Sequence, residues 1–159
     1  IRSNKNLYVV LMAGGIGTRF WPYSRNARPK QFLDVLSTGK TLLQATFDRF
    51  LPLCPQENIF IVTSEEHVSL TKEQLPQIGH EQILAEPMRK NTAPCILYAS
   101  LKIRKINPEA IVVVSPSDHL ILNELEFQKT VSKAADEAYK QDKLITLGIQ
   151  PTRPETGYG

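Results

Sequence analysis

The sequence predicts an α/β chain: an open, mostly parallel sheet with helices on both faces. Three observations predict it. Short continuous apolar runs rich in Val, Ile and Leu recur along the chain and read as strands buried on both faces. Stretches with apolar residues at helical spacing separate these runs. The polar and glycine-rich segments that could carry chemistry follow the C-terminal ends of the runs, the edge at which open α/β sheets bind ligands.

The elements follow in order. Residues 7–12 form the first apolar run, and a long polar segment leads from it to Thr41. Thr41 precedes Leu43, Thr46, Phe47, Phe50 and Leu51, which share one helical face until Pro52 and Pro55 stop the helix. A second strand is expected at 58–63, a short polar helix at 65–75 ended by Pro76, and a brief third strand at 82–85 leading to Glu86-Pro87. Asn91 is placed to cap the next helix, Pro94 is tolerated in its first turn, and Ile96, Ala99, Ile103 and Ile106 line its face up to Asn107-Pro108. Residues 111–114 read as the clearest buried strand, delivering Ser115-Pro116-Ser117-Asp118-His119 beyond its end. Phe127, Val131, Ala134, Ala135 and Ala138 mark a further amphipathic helix, and a strand is expected at 144–149. The alternation makes the fold Rossmann-like. No internal repeat and no low-complexity linker interrupts it.

The totals narrow the function. A chain of 159 residues with 42% hydrophobic and 22% charged content is ordinary for one globular domain and argues against disorder. A net charge of +3, with positive residues concentrated in one loop, argues against nucleic acid and for a small anionic ligand. Cys54 and Cys95 form neither a C-x-x-C pair nor a zinc spacing with His67, His80 or His119, and are expected as reduced core thiols. No apolar run reaches the roughly 18 residues that span a bilayer, and residues 1–6 lack the regions of a signal peptide. The expected location is cytoplasmic, with no membrane association. The lack of an initiating Met and an ending within Thr156-Gly157-Tyr158-Gly159 point to a piece of a longer protein.

The segment 11–33, LMAGGIGTRFWPYSRNARPKQFL, is the main candidate for chemistry. Gly14, Gly15 and Gly17 lack a Cβ, so their backbone N–H groups can approach anionic oxygens closely. Arg19, Arg25, Arg28 and Lys30 can neutralise those oxygens, with only Asp34 nearby to oppose them. A bare Gly-Gly-x-Gly is as often a tight connection between elements. Two familiar phosphate motifs do not fit. The dehydrogenase pattern Gly-x-Gly-x-x-Gly meets Phe20 where its third glycine belongs, and Gly39-Lys40-Thr41 has the tail of a Walker A loop but Asp34 at its leading glycine.

The full pattern is more specific. Gly-Gly-x-Gly-x-Arg, then Trp21-Pro22, then Pro29-Lys30-Gln31-Phe32-Leu33, resembles the signature of the sugar-nucleotide pyrophosphorylases, and its wording is most similar to their mannose-1-phosphate guanylyltransferase branch. The resemblance spans the chain but covers only the first half or so of such a catalytic domain. It implies a fold of the nucleotide-diphospho-sugar transferase type, incomplete at the C-terminus, in which residues 1–159 are the N-terminal nucleotide-binding part. The implied reaction in the intact enzyme gives GDP-mannose and pyrophosphate from GTP and mannose 1-phosphate. The piece alone is expected to be inactive, since the later sugar-holding segment and a second acidic metal ligand are missing from it. A related enzyme with another base or sugar, or a non-catalytic nucleotide-sugar sensor on the same fold, are the alternatives, and a homo-oligomer is possible for the full-length protein.

The resemblance also assigns residues. Ala13, Gly14, Gly15, Gly17 and Thr18 would wrap the triphosphate, while Arg19 would face the leaving pyrophosphate and Lys30 the transferred group. Asp118 is a carboxylate leaving a strand end, able to hold Mg²⁺ or merely to cap a turn, and it stands where the family carries its metal-binding aspartate. Glu86 offers paired acceptors that suit guanine's N1–H and N2–H, or is simply a solvent-facing loop acid. Asn91 and Thr92 belong to the loop that meets the nucleotide in the family, or only cap their helix. Gly148, Thr156, Gly157, Tyr158 and Gly159 look like the sugar-side segment. His119 is expected to be structural or peripheral, since a lone His beside an Asp does not make a metal site.

Overall fold

A computed structural model describes residues 4–15, 24, 25, 28–86, 92–148 and 150. Four strands, β1 (Leu7–Met12), β2 (Ile59–Ser64), β3 (Ile83–Glu86) and β4 (Ile111–Pro116), form one sheet in the order β3-β2-β1-β4, and every pairing is parallel. Among the described residues four α-helices accompany them: α1 (Leu42–Phe50), α2 (Val68–Gln74), α3 (Thr92–Ile106) and α4 (Glu124–Gln141). The expected open α/β sheet is therefore the observed fold.

Alternation along β1 explains why helices cover both faces, because successive side chains of a strand point to opposite sides. Leu7, Val9 and Leu11 pack in one cluster with Leu43, Phe47 and Phe50 of α1 and Val131 and Ala135 of α4. Tyr8 and Val10 face the other way and join Phe60, Val62 and Leu84 against Cys95, Ala99 and Ile103 of α3. A strand apolar at every position thus belongs between two layers of helix.

Local chemistry starts the helices where the sequence places them. Thr41 caps α1 in a reciprocal capping box: its hydroxyl accepts from the Gln44 backbone N–H at 3.3 Å, and its own N–H donates to Gln44 Oε1 at 2.9 Å. Asn123 caps α4 by accepting from Glu126 N–H at 3.1 Å. The helix expected over 65–75 is split into a 3₁₀ turn at Glu65–His67 and α2. Gly39-Lys40-Thr41 is a turn, with Gly39 at φ 81° and the Lys40 ammonium 2.6 Å from Asp48 Oδ2. Asp34 closes the same turn by accepting from Thr38 N–H at 3.0 Å and Gly39 N–H at 2.7 Å, and the Thr38 bond foremost holds its carboxyl below the usual carboxylate value. It serves its own turn more than it opposes the basic loop.

Two expectations need correction. Residues 111–114 are not the best-buried strand: β4 lies at the sheet edge with every residue half-buried, while β2 is buried throughout. An apolar run records the side-chain requirement but not which strand ends up in the middle. The strand expected at 144–149 is also not formed over its described residues, since 143–148 have no regular structure and Leu144 is fully exposed, with a relative accessibility of 103%, while Ile149 lies outside the described residues. Apolar content alone does not make a strand without a neighbouring backbone to pair with.

Both cysteines are buried free thiols, as expected. Burial first, with Glu57 adding, pushes the Cys54 thiol from 9.0 up to about 12, and burial with Glu86 pushes Cys95 up to about 11. Neither thiol should react with a disulfide reagent at pH 8 until the chain unfolds; prompt labelling of the native protein would contradict the burial. Because both folded values are raised, the stabilisation they contribute is complete below pH 9.0 and is lost as pH climbs through about 11 to about 12.

Candidate active site

The sheet order fixes where a ligand would sit. From β1 the chain steps to β2 and β3 on one side, then crosses to β4 on the other, so the direction reverses at β1. In open α/β sheets the crevice beyond the strand ends at such a reversal is the usual ligand site. The loops that leave β1 and β4 meet there: Ser117 N–H and Ser117 Oγ both donate to the Met12 carbonyl, at 3.2 and 2.8 Å.

Several sequence-identified residues converge on this edge. Ala13 and Gly14 leave β1, with Ala13 N–H still donating to Val62 O of β2 at 2.7 Å. Glu86 is the last residue of β3, and a Cβ built on Gly14 would stand 3.4 Å from its Oε2, so the carboxylate lies against the glycine backbone. Lys30 opens a 3₁₀ turn, Lys30–Phe32, and its ammonium is 3.7 Å from Asp118 Oδ2, just past β4. Their side chains are 23% and 43% exposed, which keeps the pair weak enough for a ligand to rearrange. His119 is exposed, with its Nε2 4.0 Å from Asp118 Oδ1.

Sequence reasoning assigned no role to the residues that hold these groups in place. Gln31 is 3% exposed, and its side-chain amide donates to the carbonyls of Ala13 at 2.7 Å and Gly15 at 3.1 Å. Thr63 Oγ1 donates to the same Ala13 carbonyl at 3.2 Å. The only sequence signal for Gln31 was its place in the Pro-Lys-Gln-Phe-Leu motif.

The remaining candidates are exposed or lie outside the described residues. Thr92 is the first residue of α3 and is exposed. Gly148 lies in the exposed stretch that follows α4, with nothing within 4 Å of a Cβ built there. Gly17, Thr18, Arg19, Asn91, Thr156, Gly157, Tyr158 and Gly159 lie outside the described residues. Arg25 and Arg28, both exposed, face each other across an isolated antiparallel bridge.

Asp118 is the carboxylate that the resemblance offers to a cation here. Among the described residues no group of three or more His, Cys, Asp or Glu side chains could hold a metal. Asp118 nevertheless fits Mg²⁺, which typically takes one or two carboxylates and fills its other positions with phosphate oxygens and water. No helix among the described residues is long and apolar enough to cross a membrane.

Comparison with known proteins shows the family and the fold. Residues 8–159 match the family model described as nucleotidyl transferase. The chain is 45% identical over 152 residues to the xanthan biosynthesis protein XanB of Xanthomonas campestris, covering 94% of this chain and 32% of that protein. It is 41% identical over 161 residues to a mannose-1-phosphate guanylyltransferase of Escherichia coli K12, covering 99% of this chain and 33% of that protein. A solved structure from Thermus thermophilus, named mannose-1-phosphate geranyltransferase, superposes with a TM-score of 0.83 at 32% identity over 95% of this chain and 43% of that one. The chain thus spans about a third of the length of these curated relatives.

Proposed function

The chain belongs to the nucleotidyl transferase family, and on that premise we propose that it is the nucleotide-binding part of a mannose-1-phosphate guanylyltransferase. The observation that carries this reading is that two contacts form at the C-terminal edge of the sheet, the Glu86 carboxylate against the Gly14 backbone and the Lys30 ammonium 3.7 Å from Asp118. A phosphate chain, a purine edge and a divalent cation each have a matching group there.

In the proposed reaction a phosphate oxygen of mannose 1-phosphate attacks the α-phosphorus of GTP. The bond from that phosphorus to the bridging oxygen breaks, and pyrophosphate leaves, giving GDP-mannose. No protein nucleophile is required, so the residues act by positioning and by opposing charge. The glycine backbone lets N–H groups approach the triphosphate, and Lys30 brings an ammonium to the oxygens of the transferred phosphoryl. Arg19, which lies outside the described residues, would by the family resemblance add positive charge on the pyrophosphate side. Asp118 would hold Mg²⁺, which when bound neutralises phosphate charge. Glu86, against the loop, offers two acceptors to the paired N1–H and N2–H donors of guanine.

Assaying the full-length polypeptide with GTP, ATP, UTP and CTP against a panel of sugar 1-phosphates tests this. Turnover should be highest with GTP and mannose 1-phosphate; preference for another pair would overturn the base or sugar assignment. Glu86→Gln replaces one acceptor by a donor facing a donor. It should lower kcat/KM for GTP by roughly ten- to a hundredfold, as expected for losing a hydrogen bond to a charged group, and narrow the margin over ATP.

A further inference from the structure

We propose that Gln31 is a positioning residue that sets the conformation of the phosphate-binding loop, a role that rests on reading 13–18 as the triphosphate loop. Glycines give that loop freedom but no side chains with which to hold itself. Gln31 supplies the hold from outside. Its Nε2 carries two N–H bonds and places both on loop carbonyls, Ala13 at 2.7 Å and Gly15 at 3.1 Å. Thr63 Oγ1 occupies the Ala13 carbonyl from the β2 side at 3.2 Å.

Peptide geometry turns this hold into a ligand-facing effect. A trans peptide is planar, with C=O and N–H pointing to opposite sides. Drawing the Ala13 carbonyl onto Gln31 therefore aims the Gly14 N–H away from it, the orientation a phosphate oxygen needs. The loop is set before a ligand arrives, which removes an ordering cost from binding.

The base of the hold is itself rigid. Phe32 is fully buried, with its ring centroid 5.6 Å from that of His67. The Phe32 carbonyl accepts from Gln74 Nε2 at 3.0 Å, and the Leu33 carbonyl accepts from Leu42 N–H at 3.2 Å. One short turn thus sends Lys30 toward Asp118 and Gln31 into the loop, so that the cation and the glycine backbone keep a common frame.

The test compares the wild-type full-length polypeptide with Gln31→Met, which keeps length and volume but removes both donors, and with Thr63→Val, which leaves the Gly15 carbonyl held. Gln31→Met should raise the KM for the nucleoside triphosphate about tenfold or more and leave that for the sugar 1-phosphate within about twofold, with Thr63→Val doing less. Deuterium uptake should quicken in peptides covering residues 13–15 and stay at the wild-type rate in β2. Unchanged triphosphate KM together with unchanged loop exchange would overturn the proposal, and so would a uniform quickening across β1 and β2, the mark of an ordinary core residue. Should the wild type process no triphosphate, the transferase reading fails, and exchange alone then decides the role of Gln31 by the same criterion. If Gln31→Met does not fold, Gln31→Asn, one methylene too short to reach both carbonyls, is read by the same measurements.

Discussion

Replacing Lys30 with alanine in the full-length polypeptide should lower nucleotidyl-transfer turnover by roughly 10²–10³-fold, the usual loss when one preorganised group opposite developing charge is removed. The proposed reaction concentrates negative charge on the oxygens of the transferred phosphoryl, against which the proposal sets the Lys30 ammonium, and Lys30 opens a turn whose Gln31 and Phe32 are buried. The fold should not suffer. The Lys30 side chain keeps 23% of its exposure and its pairing with Asp118 at 3.7 Å is partly solvated, so the pair contributes only about 0–1 kcal/mol. Pyrophosphate release and the thermal midpoint, measured together, separate the two effects. Wild-type turnover in the variant would remove Lys30 from the reaction, and a collapsed midpoint would make its role structural.

Asp118→Asn is the second large effect, because it keeps the shape of the side chain and removes its charge. Residues behind a metal ligand are commonly worth about 10–100-fold in affinity or activity, so loss of a ligand should cost no less. The expected result is a fall in turnover of about that size or more, with a rise in the Mg²⁺ concentration needed for half-maximal rate. An unchanged Mg²⁺ requirement would show that Asp118 only ends its turn. Since Asp118 and Lys30 are 3.7 Å apart, the double variant should lose less than the two single losses multiplied.

How much of the site was legible depended on the kind of information each residue carries. The glycines, Lys30, Glu86 and Asp118 stood out as candidates in the sequence chiefly through motifs that resemble a known family, since residue type alone leaves Glu86 a loop acid and Asp118 a turn cap as readily as ligands. Gln31 and Thr63 did not. A glutamine or threonine in a motif says nothing of the carbonyl it will meet, and the partners here, Ala13 and Gly15, lie 16 to 50 residues away along the chain. The partners of Asp34 were equally hidden: two backbone N–H groups of its own turn donate to it and favour its charged form.

By itself the sequence determined the class of fold, the order of its elements and their start signals, since periodicity, caps and breakers act within a few residues. The Thr41 capping box and the two-faced β1 are of this kind. Strand order and edge were decided only in three dimensions. The apolar run at 111–114 became an edge strand and the one at 144–149 found no partner among the described residues, because sheet position is set by which backbones pair and not by which side chains are apolar. The same packing decided the site, by carrying the ends of β1, β3 and β4 to one edge of the sheet and placing Gln31 beneath the loop that the glycines left free.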